Sequence, residues 1–359
     1  MPLKFRFETS FGALTEKSFL LARVFSEDGA WGVGECVAED HPYYLPETNG
    51  TVRHVIGDFL APLLLGHRFE GPSETFGLMS RIRGHEMAKA TLEMAIWDLF
   101  ARARGESLST TLGGKPSKAI AAGVSIGLQG STDALLKRVA IEVSAGYQRI
   151  KIKIKPGSDI ELVRAIRREF PKIALMVDAN SAYRLTDADH LRQFDDFDLM
   201  MIEQPLAWND ILEHSKLQPQ LKTPICLDES ITSEELALGA LAIGAGRIIN
   251  IKAGRVGGLE VSRRIQAGCA ARGAAVWCGG MLESGIGRLA NVHLQTLPGF
   301  TLPGDTSASA RYFDEDLIEP GVIVSPDGQI QVPTGPGIGH EIIWPRVERA
   351  TVHRDAWAV

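Results

Sequence analysis

Between Ile150 and Lys252, five apolar runs each end in a charged residue: Ile150-Lys151-Ile152-Lys153, Ala174-Leu175-Met176-Val177-Asp178, Leu199-Met200-Met201-Ile202-Glu203, Pro224-Ile225-Cys226-Leu227-Asp228 and Arg247-Ile248-Ile249-Asn250-Ile251-Lys252. The terminal charges recur at intervals of 25, 25, 25 and 24 residues. The runs are short and rich in Ile, Leu, Val and Met, which is the pattern of a strand buried on both faces. The gaps carry helical periodicity. Leu162, Ile166 and Phe170 follow Asp159, a possible cap. Leu236, Ala240 and Ile243 follow a capping box made by Thr232 and Glu235. Strand and helix alternating at a fixed period predict a TIM-type (β/α) barrel, an α/β fold with the strand-end charges on its C-terminal face. Its first strand is expected within residues 121–128, its seventh at Ala274-Ala275-Val276-Trp277 and its eighth within 299–302.

Residues 1–112 have another texture. Two strands, Phe19-Leu20-Leu21-Ala22-Arg23-Val24 and a run over 31–37, flank the turn signal Glu27-Asp28-Gly29. Helical patterns cover 51–65 and 87–104, the second with Ala90, Met94, Trp97 and Leu99 as core positions. This predicts an N-terminal α+β domain. Leu112-Gly113-Gly114-Lys115-Pro116 reads as its linker to a barrel over 113–310. Residues 311–359 leave the repeat. There, Gly321-Val322-Ile323-Val324, a Pro326-Asp327-Gly328 turn and Ile330-Gln331-Val332 predict a hairpin packing back on the first domain.

At 359 residues with 45% apolar and 23% charged content, the chain can bury a large core and is not of disordered type. A net charge of −6 without a basic run argues against nucleic acid as a partner. Cys36, Cys226, Cys269 and Cys278 form no CxxC pair, as expected of free thiols in the cytoplasm. No apolar run is long enough to span a bilayer, so no membrane partner is expected.

Asp178, Glu203 and Asp228 carry the strongest chemical signal. Three carboxylates on adjacent strand ends repel one another unless a cation sits among them. Hard oxygen donors with no strand-end His or Cys favour Mg²⁺. Lys153 and Lys252 flank the acids in strand order. Burial and a neighbouring cation lower a lysine's pKa, which suits a general base on each face of a substrate. Lys151 and Lys155 share the side-chain direction of Lys153, and periodicity alone leaves the choice among the three open. Gly279-Gly280 can present backbone N–H groups to a substrate carboxylate or form a plain turn. Gly254-Arg255-Val256-Gly257-Gly258 lacks the order of a dinucleotide loop, and His85-Glu86 does not extend to HExxH.

At these residues the chain resembles the enolase superfamily. Lys151-Ile152-Lys153 is similar to the KxK motif of its muconate-lactonising branch, whose second lysine is catalytic. Val177-Asp178-Ala179-Asn180, Ile202-Glu203-Gln204-Pro205 and Leu227-Asp228-Glu229-Ser230 match the three ligand motifs. Within the superfamily the chain resembles the o-succinylbenzoate synthase / N-succinylamino acid racemase family. The matching stretches are Thr9-Ser10-Phe11-Gly12, Gly84-His85-Glu86-Met87-Ala88-Lys89, Val276-Trp277-Cys278-Gly279-Gly280-Met281-Leu282-Glu283 and Leu302-Pro303-Gly304-Asp305-Thr306-Ser307-Ala308-Ser309. Strand seven has no His, unlike mandelate racemase, and Ala253 stands where the family usually has proline.

The resemblance implies an enolase-like barrel beneath a capping domain. It implies Mg²⁺ (Mn²⁺ as a substitute) on Asp178, Glu203 and Asp228, with Lys153 and Lys252 catalytic. It further implies a substrate held by Lys151, Ser125, Asn180, Arg255, Gly279, Gly280, Glu283 and Phe11. The expected partner is a small carboxylate, in a cytoplasmic homo-oligomer. The expected chemistry is loss of a proton alpha to that carboxylate. One outcome is dehydration of 2-succinyl-6-hydroxy-2,4-cyclohexadiene-1-carboxylate to 2-succinylbenzoate in menaquinone biosynthesis. The other is racemisation of N-succinylamino acids, which Arg255 keeps in view. A non-catalytic scaffold that kept the fold is the remaining alternative, and the intact acids and lysines speak against it.

Overall fold

The computed structural model describes residues 1–8, 12–115 and 119–358. The N-terminal domain opens with β1 (Pro2–Glu8) and β2 (Ala13–Glu16), then the hairpin β3 (Leu20–Phe25) and β4 (Trp31–Cys36). Helices α1 (Asn49–Val55), α2 (Ala61–Leu64), α3 (Glu74–Met79) and α4 (Glu86–Ala103) follow, with one π turn joining the first two. The alternating glycines of β4 have a specific use. A Cβ at Gly32 would lie 2.1 Å from Ala95 O, and one at Gly34 2.1 Å from Thr91 O, so only glycine lets α4 lie on the hairpin. Ala90, Met94 and Trp97 are buried in α4 as expected, whereas Leu99 is half-buried at its edge.

After α5 (Leu108–Thr111) and β5 (Ala119–Ala121) comes the barrel. Its strands are β6 (Gly123–Ile126), β7 (Arg149–Lys153), β8 (Leu175–Asp178), β9 (Ile202–Glu203), β10 (Ile225–Leu227), β11 (Ile248–Ile251) and β12 (Ala275–Cys278). All seven pair in parallel and in sequence order. Past β12 and the helix that follows it, the chain closes the ring through parallel bridges Val276↔Phe300, inside the expected eighth strand, and Ala122↔Gly304, two residues beyond it. Helices α6 (Thr132–Ser144), α7 (Asp159–Glu169), α8 (Ala188–Leu191), α9 (Leu212–Leu217), α10 (Glu234–Ala242), α11 (Ala253–Val256), α12 (Leu259–Ala270) and α13 (Gly285–Leu294) alternate with the strands. The chain is thus a (β/α) barrel with an N-terminal capping domain, the architecture that the resemblance implies.

Three local expectations change. The cap of α10 is Ser233, which accepts from Leu236 N, because the helix begins one residue later than a Thr232 box requires. Its buried face is Ala237 and Ala240; Leu236 and Ile243 are exposed. Asp159 opens α7 from inside the first turn, buried against Tyr183 and His190, rather than capping it. The late hairpin keeps its turn, with Gly328 N donating to Ser325 O at 2.8 Å, but its second arm, β14 (Gln329–Gln331), pairs antiparallel with β5. Strand β13 (Ile318–Glu319) pairs instead with β15 (Glu341–Ile342). Trp344 of the last helix, α14 (Trp344–Ala350), meets Trp31 of the capping domain edge-on at 5.6 Å. Among the described residues no helix is long and apolar enough to cross a membrane.

Candidate active site

Parallel register brings the strand ends together. Lys153 pairs with Asp178, and Asp178 with Glu203, so their Cα atoms are neighbours across the ladder. Asp228 follows β10 and Lys252 follows β11 directly. The acids are fully buried. Lys153 Nζ lies 2.6 Å from Asp178 Oδ2 and 2.7 Å from Asn180 Oδ1. Lys252 Nζ lies 2.9 Å from Asp228 Oδ2 and donates to Tyr44 OH at 2.9 Å. Glu203 accepts from Lys151 Nζ at 3.0 Å and from Asn250 Nδ2 at 2.6 Å. Asn180 Nδ2 donates to Glu229 Oε1 at 2.9 Å, and among the described residues the buried Glu229 Oε2 has no hydrogen bond.

The two lysines of the KxK motif are held differently. Lys151 Nζ touches Asp305, Glu203 and Asp178 at 2.7, 3.0 and 3.3 Å. Burial pulls its ammonium down, but Asp305, Glu203 and Asp178 outweigh burial and hold its pKa above the ordinary lysine value. Burial likewise acts against the Lys252 ammonium, and Tyr44, Glu229 and Glu203 outweigh it, so that lysine is also raised. Carboxylates surround both nitrogens, so the side chains by themselves favour the ammonium; the lowering expected for Lys252 depends on a cation among those acids. Asp178 is buried, which favours its neutral form, yet Lys153 and Lys151 keep it well below the usual carboxylate range. Lys155 is exposed and leaves the cluster.

A cavity of 310 Å³ opens between barrel mouth and capping domain. Ser125, Lys151, Lys153, Asn180, Lys252, Gly280 and Glu283 all line it. Two expected substrate contacts do not. Arg255 is fully buried beneath the site, donating to Ile231 O, Asn250 O, Tyr44 OH and Asp228, so its guanidinium orients that acid rather than reaching the cavity. Gly279 N donates to Ile251 O at 2.9 Å, which continues the β-ladder and removes that N–H from ligand binding. Phe11 lies outside the described residues. Sequence reasoning missed Tyr44, whose hydroxyl joins Lys252, Arg255 and Asp228, and Asp305, which anchors Lys151 and Arg149. Of the two adjacent tyrosines, Tyr44 is buried and Tyr43 is exposed.

The donor set fits a divalent cation in chemistry and placement. Asp178, Glu203 and Asp228 are oxygen donors on three successive strands, which lie about 4.8 Å apart. Among the described residues, no three His, Cys, Asp or Glu side chains already form a metal cage, since each acid is turned toward a basic partner. If Lys153 is to act as a neutral base, Asp178 loses its nearest counter-charge, and a substrate carboxylate adds another negative charge. A divalent cation offsets both.

Comparison with known proteins agrees with this architecture. Residues 1–113 match the family model of the mandelate racemase / muconate lactonizing enzyme N-terminal domain, and residues 134–346 match the enolase C-terminal domain-like model. An o-succinylbenzoate synthase of Geobacillus stearothermophilus is 51% identical over 363 aligned positions, covering 100% of this chain and 96% of that protein. An N-succinylamino acid racemase of Thermus thermophilus is 47% identical over 352 positions, covering 98% and 95%. The crystal structure of an enolase-superfamily member from Listeria innocua superposes with a TM-score of 0.94 at 43% identity, covering 97% of this chain and 94% of that one.

Proposed function

This chain belongs to the enolase superfamily and, within it, to the o-succinylbenzoate synthase / N-succinylamino acid racemase family, and from that premise we propose that its barrel mouth removes a proton alpha to a carboxylate. The observation that carries the reading is the order Lys153, Asp178, Glu203, Asp228, Lys252 on successive strand ends, with both lysines lining one cavity and each ion-paired to one of the acids. Two amines flank the acids and face a common space. Mg²⁺ (or Mn²⁺) held by Asp178, Glu203 and Asp228 supplies positive charge at the substrate carboxylate and makes its α-carbon more acidic.

The protein's own residues do the rest. Lys153 Nζ, deprotonated, takes the α-proton, and the electron pair of the C–H bond moves toward the carboxylate. In the dehydration, the neighbouring C–O bond then breaks. The pair returns to form the ring double bond, and the hydroxyl leaves as water with the proton from Lys153. Lys252 stays cationic beside the anionic intermediate, held by Asp228 and Tyr44. Asn180 holds Lys153 in line, and the capping domain keeps bulk water out.

Racemisation is the second reading, favoured by the 47% identity to a racemase and by an amine on each side. There Lys252 returns a proton to the opposite face. The test is to supply purified protein with 2-succinyl-6-hydroxy-2,4-cyclohexadiene-1-carboxylate and, separately, with N-succinylamino acids. Formation of 2-succinylbenzoate should vanish on chelation and return with Mg²⁺. No turnover of either substrate, or turnover indifferent to chelation, sinks the reading.

A further inference from the structure

One charged side chain of the cavity belongs to neither the acids nor their lysines. Lys17 directly follows β2, is 2% exposed and lines the wall supplied by the capping domain. Among the described residues its Nζ makes no hydrogen bond. Its ion pair with Glu39 Oε1 spans 3.6 Å, too long to fill any of the three donors an ammonium carries. Asp40, the next acid along, is already bound to Ser18 Oγ at 2.7 Å and Asn49 Nδ2 at 3.0 Å. An unbonded buried ammonium is costly, and that cost is recovered when a ligand brings acceptors. Glu39 keeps the site from carrying a naked charge without using its hydrogen-bonding capacity. The cavity's other buried cation away from the acids, Arg288, gives its two Nη atoms to Ser307 O and Glu283 O and is part of the scaffold.

We propose that Lys17 binds the distal carboxylate of the substrate's succinyl arm and so selects succinylated substrates. The inference rests on the α-proton reading above, under which both candidate substrates carry a succinyl group as well as the reacting carboxylate. The reacting end then lies at Lys153 and Lys252, and the succinyl arm reaches toward the capping domain.

The experiment follows α-proton exchange in D₂O with N-succinyl-L-phenylalanine and with its N-succinamyl analogue, in which the distal carboxylate is a carboxamide. Wild-type protein should favour the carboxylate by about tenfold or more in kcat/KM. In Lys17→Met and Lys17→Gln that ratio should fall to about one, chiefly through KM, and Lys17→Arg should restore part of it. A purely structural lysine would lower both ligands by the same factor and leave the ratio intact, which overturns the proposal. So does a wild-type enzyme that exchanges both ligands equally, a result that needs no variant to fold. Exchange of neither ligand by a wild-type protein that also fails to form 2-succinylbenzoate overturns the α-proton reading itself, and the Lys17 assignment falls with it; where only that dehydration is seen, an unchanged KM for its substrate in Lys17→Met overturns the Lys17 assignment alone.

Discussion

Lys151 and Lys153 lie two residues apart on β7 and face the same cavity, but they are held differently. Three carboxylates fix Lys151 as a cation, whereas Lys153 is shared between one carboxylate and an amide oxygen. Lys153→Ala should therefore reduce dehydration to background, and Lys252→Ala should suppress it by removing the cation beside the intermediate. The two variants should differ in D₂O exchange. Each should retain exchange only for the N-succinylamino acid enantiomer whose proton faces the remaining lysine. Equal loss for both enantiomers in both variants would remove the two-face assignment, and an enantiomer-selective loss in Lys151→Ala would name the wrong lysine. Acids and lysines of this kind are legible in a sequence because a charge ending a buried run has one place to go. Tyr44 and Asp305 were not, since Tyr44 meets Asp228 across 184 residues of chain and no local pattern predicts the contact. Arg255 was misread for a related reason: its position suggests the rim, but its partners lie below it.

At the scale of elements, the βα period made the strands legible, while caps and late pairings depended on partners from other parts of the chain. Ser233 rather than Thr232 caps α10, and β14 pairs with β5 because the barrel leaves that edge open. The contact at the end of α13 is of the same long-range kind. His293 Nδ1 accepts from Ser109 N of α5 at 3.2 Å, and Nε2 lies 3.1 Å from Ile338 O in the C-terminal segment. Those partners assign the proton to Nε2. Protonating Nδ1 would set two hydrogens against each other in a dry site. Burial accordingly pulls His293 down to about 4 from its ordinary 6.5. Between those values the unfolded chain binds the proton and the folded one does not, so stability rises with pH across the window and is lost as pH falls through it. Wild-type protein should lose about 3 kcal/mol more than His293→Gln between pH 7 and pH 4, read from urea unfolding. Parallel pH profiles for the two proteins would show that His293 does not titrate in this range.

The whole molecule works only if the capping domain stays seated, because the cavity takes Lys17 and Tyr44 from it and Lys151, Lys153 and Lys252 from the barrel. The seating uses buried carboxylates on barrel helix starts. Glu35 of β4 accepts from Ser284 N and Gly287 N, both at 2.9 Å, at the start of α13. Glu93 of α4 accepts from Leu259 N at 2.7 Å and Glu260 N at 2.8 Å at the start of α12, while also holding Trp97 Nε1 at 2.7 Å. Helix starts leave N–H groups unpaired and favour negative charge, so one carboxylate satisfies several donors and docks one domain on the other. The sequence showed a periodic helix at 87–104 but not this role, since Glu93 and Glu260 are 167 residues apart. Glu93→Ala leaves two backbone donors and an indole N–H without an acceptor in a dry interface. It should lower unfolding stability by about 3 kcal/mol and raise KM as the cavity wall loosens, with Asp178, Glu203 and Asp228 untouched. Glu93→Gln keeps one acceptor oxygen and should recover part of both losses. Urea unfolding followed by tryptophan fluorescence, alongside steady-state kinetics, checks this. A stability loss below about 1 kcal/mol in Glu93→Ala would mean that apolar packing, and not the carboxylate on α12, holds the capping domain in place.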